Sequence, residues 1–115
     1  MDGRIQLPVI NYLKKKFNAE YVDSITEPGP NLILSEGNDD TLIDSIINRL
    51  KISVENHNSI GIAVVGHYDC AGNPSPYSEQ IQQINNSVEF IKSKYPELDA
   101  IGLWVNENWI VESIE

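Results

Sequence analysis

The sequence predicts one α/β domain in three layers, with helices on both faces of a mostly parallel sheet. Three observations carry this. Strand-length apolar runs alternate with stretches of helical period, the pattern of sheets crossed over by helices. Ile60–Val65, I-G-I-A-V-V, is apolar almost without interruption, the mark of a strand covered on both faces. The chain has 115 residues, the size of a single domain, and no repeat, low-complexity segment or linker divides residues 1–115.

Taken in order, Leu7–Phe17 reads as a helix. Pro8 suits a first turn, and Val9, Ile10, Leu13 and Phe17 recur at helical spacing. Ala19–Ile25, A-E-Y-V-D-S-I, alternates and is rich in strand formers, so it is the expected first strand. T-E-P-G-P (Thr26–Pro30) is turn chemistry. Asn31–Leu34 is a brief strand or a packed loop. A second helix begins near Asn38 or Asp39, where acidic residues favour the positive end of the helix dipole. Its stripe is Leu42, Ile43, Ile46, Ile47, Leu50 and Val54. Glu55–Ser59 is a polar exit, with His57 a solvated helix-end residue. After the central strand, Ser75 and Pro76 read as the cap and first position of a third helix, which Pro96 stops. Asp99–Val105 is a buried strand, Asn106–Asn108 a tight turn, and Trp109–Ile114 an antiparallel return strand.

Composition narrows the partners. Net charge is -9, which excludes the dense cationic face that nucleic acid or an anionic membrane requires. No apolar run approaches the roughly 18 residues needed to span a bilayer. The start M-D-G-R-I-Q-L-P lacks a charged n-region followed by an apolar core, so no secretion signal is expected. One cysteine makes no internal disulfide, which predicts a reducing cytoplasm.

Chemistry concentrates at Ile60–Pro74, where the central strand ends in Gly66 and delivers His67, Asp69 and Cys70 to a sheet edge. In open α/β sheets ligands sit at the carboxyl ends of strands. His67 and Cys70, three apart across a turn, can share one borderline metal ion, and zinc needs at least one more protein ligand. Asp23, near the end of the first predicted strand, is the best third, with Asp69 and Glu27 as further ligands or acceptors around the ion. A buried structural cysteine beside a turn-capping histidine explains the same residues, and H-x-x-C alone does not separate the two. A Cys70–His67 nucleophile is a third reading, weakened because Pro74 and Pro76 delay the helix that would lower the thiol pKa. A-G-N-P makes a poor phosphate cradle, having one glycine and no lysine or arginine close in sequence.

V-V-G-H-Y-D-C-A-G (Val64–Gly72) resembles the strand-end G-H-x-x-C-G motif of the β-class carbonic anhydrases, where the histidine and cysteine bind zinc. The order of elements is similar, and G-L-W-V-N-E-N-W-I-V-E-S-I (Gly102–Ile114) resembles that family's closing strand pair. The similarity runs from about Ala19 onward, and only the central motif is specific. It implies a β-carbonic-anhydrase-like fold with strand order second-first-third-fourth (2-1-3-4) plus an antiparallel edge strand. It also implies zinc at His67 and Cys70, carbon dioxide or bicarbonate as substrate, and a homodimer. Trp104 and Trp109 on the terminal hairpin would either supply the dimer surface or cover the domain's own core.

The chain departs from the family's second motif, C-x-D-x-R. Here it reads Y-V-D-S-I: Asp23 matches the aspartate, while Tyr21 and Ile25 replace the cysteine and arginine. The only arginines, Arg4 and Arg49, fall away from the predicted strand ends. N-P-S-P follows the cysteine where the family enters a helix, and the chain is short for the family. Two outcomes follow. In one, Asp23 joins His67 and Cys70 in a metal site and inherits the catalytic role beside a metal-bound water. In the other, the fold persists without metal, as a non-catalytic binding or assembly protein in which Cys70 is structural.

Overall fold

The computed structural model describes residues 1–114, in which four helices surround a three-stranded mixed sheet. The helices are α1 (Gly3–Lys16), α2 (Pro30–Glu36), α3 (Asp40–Asn56) and α4 (Tyr77–Lys94); the strands are β1 (Gly61–His67), β2 (Asp99–Val105) and β3 (Val111–Ile114). The order is β1-β2-β3. The β1–β2 pair is parallel, from Gly61↔Asp99 to His67↔Val105, and β3 runs antiparallel to β2. A parallel pair needs a long crossover, and α4 supplies it.

Side-chain alternation assigns the faces. Val64, Ala100 and Trp104 join Ile84, Val88 and Ile91 of α4, Ile46 and Leu50 of α3, and Leu34 of α2 in one core cluster. Ile84 is fully buried and sits so close that a Cβ on Gly66 would lie 2.9 Å from it, and one on Gly102 2.5 Å. These glycines let α4 approach the sheet. The opposite face of β1 presents Ala63, Val65 and His67 toward α1, across a cavity. Helices therefore cover both faces. None is long and apolar enough to cross a membrane.

The helix ends follow local chemistry. Asp2 caps α1, its side chain accepting from Arg4 N, and Asp39 caps α3, accepting from Leu42 N. α1 starts earlier than expected, so Pro8 lies inside it rather than in its first turn. Pro76 is the N-cap of α4 and no side chain caps that helix, so Ser75 does not take the expected role.

The sheet is smaller than the expected 2-1-3-4 arrangement. Asn31–Leu34 is neither strand nor loop but part of α2: Pro30 occupies its first turn, and Asn31 and Leu34, three apart, are its buried residues. Ala19–Ile25 forms no strand. Its half-buried apolar residues, Val22 and Ile25, are three apart, which breaks the two-residue alternation a strand needs. It lies beside Ser59–Ala63 across a second cavity, with no backbone hydrogen bond to β1. Trp104 is buried in the core, and Trp109 packs on Arg4 and Tyr68. Trp104 thus covers the chain's own core.

Candidate functional site

The end of β1 is built to hold still. His67 is its last residue and is 6% exposed. Tyr68 N continues the strand by donating to Val105 O at 2.9 Å. His67 Nδ1 lies 2.7 Å from Tyr68 O. A carbonyl only accepts, so Nδ1 donates this hydrogen bond, and Nε2 has no hydrogen-bond partner among the described residues. Asp69 then takes a left-handed conformation (φ 57°), and Cys70 turns back into the protein, where it is buried. Gln80 of α4, 2% exposed, pins this loop: its Nε2 donates to the carbonyls of His67, Asn73 and Ser75 at 3.2–3.3 Å. Gly72 has no room for a Cβ, which would meet Pro28 at 2.5 Å.

Arg4 and Asp2, to which the sequence assigned no place here, join this strand end. Arg4, expected to lie away from it, reaches across from α1. Its Nη1 donates to Asp69 Oδ2 and its Nη2 to Asp69 O, both at 3.2 Å. Its Nη2 also donates to Asp2 Oδ2 at 2.6 Å, and its guanidinium stacks 4.4 Å from the Trp109 ring centre. Hydrogen bonds from Arg4 hold the Asp2 carboxyl far below the usual carboxylate range, and Asp2 in turn raises the Arg4 guanidinium. The contact bridges 65 positions of sequence, so no local pattern announces it. The one local signal is D-G-R itself, an N-cap acid followed two residues later by a base.

Asp23, the expected third ligand, is bonded to a partner of its own. Asp23 Oδ2 lies 2.6 Å from His57 Nδ1, at the C-cap of α3 and therefore toward the amino end of β1. The Ser53 hydroxyl and then His57 hold the Asp23 carboxyl low. Glu27 is paired with Arg49. Tyr21, at the position matching a cysteine in the resembled motif, is 85% exposed.

Between α1, residues 22–30 and β1 lies a cavity of about 320 Å³. Its walls include Ile5, Val9, Val65, His67 and Cys70, together with three carboxylates, Asp2, Asp23 and Glu27. Each carboxylate is already matched by a base: Asp2 by Arg4, Asp23 by His57 and Glu27 by Arg49.

Compared with known families, residues 1–115 match the model of a family described as "putative carbonic anhydrase". The chain belongs to that family. No curated protein and no solved structure matches it.

Membership in this carbonic anhydrase family implies zinc, so the donors can be tested against that ion. Zinc takes three or four protein ligands in nearly all sites. His67 and Cys70 supply two on one cavity wall. Among the described residues no three His, Cys, Asp or Glu side chains are grouped to hold a metal ion. The donor set of this carbonic anhydrase relative does not fit a zinc centre within one chain.

Proposed function

We propose that this member of the family is a binding protein that keeps the domain, with Cys70 in a structural role, and does not hydrate carbon dioxide at a zinc ion of its own. One observation carries the reading: each of the three carboxylates on the cavity wall is engaged with its own base. A carboxylate so held must give up its hydrogen-bonded partner before it can bind a metal, and that exchange is unfavourable. The remaining wall is largely apolar, with Gln6, Ser24, Thr26, His67 and Cys70 as its polar residues. Such a surface suits a small uncharged molecule. Within the family's substrate class it favours carbon dioxide over bicarbonate. The single cysteine supports a reducing, cytoplasmic setting.

A zinc-dependent hydratase is the second reading, favoured by the unpartnered Nε2 of His67 on the same wall as Cys70. It requires Asp23 to leave His57 and join them. Stopped-flow carbon dioxide hydration by zinc-supplemented protein decides between the two. The binding reading expects the rate of buffer alone, unchanged in Cys70→Ser and Asp23→Asn. Saturable hydration that both substitutions abolish would establish the hydratase.

A further inference from the structure

A third cavity, of about 450 Å³, opens on the other side of the β1 end, between Tyr68–Asp69, the start of α4 and the β2–β3 hairpin. Three aromatic rings line it: Tyr68, Tyr77 and Trp104. Tyr77 and Trp104 pack edge to face beside it, at 80° with centres 5.1 Å apart. Trp104 is buried, whereas Tyr68 and Tyr77 are 49% and 56% exposed, so the cavity opens to solvent. Three carboxylates, Asp69, Glu107 and Glu112, rim the same cavity. Their engagement differs. Asp69 faces Arg4, and Glu112 accepts from Asn106 Nδ2 at 2.9 Å. Glu107 is exposed and forms no ion pair among the described residues.

We infer that this cavity binds a small organic cation of the alkylammonium class, a methylated ammonium above all. Ring faces carry the negative end of the aromatic quadrupole and attract a cation held over them. The rim adds carboxylate charge, in a chain whose net charge is -9. An anion is disfavoured by the same rim. A small inorganic cation would need a close shell of oxygen ligands, which rings cannot supply. A methylated ammonium is weakly hydrated, so it leaves water readily to lie against the exposed rings of Tyr68 and Tyr77. The positive end of α4 lies close by, and Glu79 in its first turn offsets it. This site is separate from the cavity under α1 and stands whichever reading of that cavity holds.

The test compares choline with 3,3-dimethylbutan-1-ol, its uncharged isostere, at matched ionic strength. Both are titrated into the full chain and followed by tryptophan fluorescence and by the aromatic NMR signals of Tyr77 and Trp104. Choline should bind saturably, and the alcohol about three- to thirtyfold more weakly, the range of one to two cation–π contacts. Tyr77→Ala and Glu107→Gln should each weaken choline, while Tyr77→Phe keeps most of the affinity. Both positions are exposed, so the fold should survive, as circular dichroism will show. Equal binding of the alcohol, absence of a saturable choline response, or wild-type affinity in Tyr77→Ala overturns the inference.

Discussion

Gln80→Leu probes the strand end most sharply. The leucine keeps the volume and removes the amide. Gln80 Nε2 currently serves the carbonyls of His67, Asn73 and Ser75, and its Oε1 accepts from Asn31 Nδ2 at 3.3 Å. Asn31 retains Gln83 as a second acceptor. Asn73 is fully buried, and its Oδ1 already lacks a partner among the described residues, so this network has little reserve. Two buried carbonyls left unpaired cost about 1–3 kcal/mol each, and added apolar burial returns part of that. The net loss is roughly 2–4 kcal/mol, a large share of the 5–15 kcal/mol typical of a domain. Urea unfolding should show a lower midpoint at unchanged slope. Native-state hydrogen exchange should show the Asn73 amide, which donates to Cys70 O at 3.3 Å, opening more than the amides of β2. A loss below about 0.5 kcal/mol, or protection lost evenly across the sheet, would refute the claim that Gln80 anchors this loop.

Two further outcomes follow from the same structure. Ile84→Ala empties the closest contact between α4 and the sheet and should cost about 2–5 kcal/mol by urea unfolding; a loss under about 1 kcal/mol contradicts that packing. Asp23 has a carboxyl held below its ordinary value of 3.8, so its contribution to stability is complete above that pH and fades as pH falls through the lower folded value. Asp23→Asn should flatten the acid limb of melting temperature against pH below about pH 4, with a loss at neutral pH of at most about 1 kcal/mol because the pair is exposed. An acid limb identical to wild type would contradict the hold of Ser53 and His57 on the Asp23 carboxyl.

Long periodic elements are legible in the amino-acid sequence. Ile84, Val88 and Ile91 recur on one face of α4, and the unbroken apolar run of Ile60–Val65 supplies most of β1. Short elements are not legible. α2 has 7 residues, too few to show a helical period, and Pro30 reads equally as a turn. Ala19–Ile25 has strand composition, yet composition cannot say whether a neighbouring backbone lies within bonding reach. The strand end itself is visible as His67 and Cys70, because a β-rich run ending in glycine carries a local signal. Its charged surroundings are hidden. Arg4 meets Asp69, and Asp23 meets His57, across 65 and 34 positions, and pairings of that range are set by how helices dock. That is why Asp23 reads as a third ligand in the sequence: the matching motif places it, but the bond to His57 draws it toward the other end of β1.

The carboxylates around His67 and Cys70 are already taken, and metal content tests this. Wild-type protein and Cys70→Ser are each loaded with zinc, dialysed against metal-free buffer and assayed for zinc per chain. Both should hold far less than one zinc per chain, with no difference between them. One tightly held zinc per wild-type chain, lost on Cys70→Ser, would contradict it.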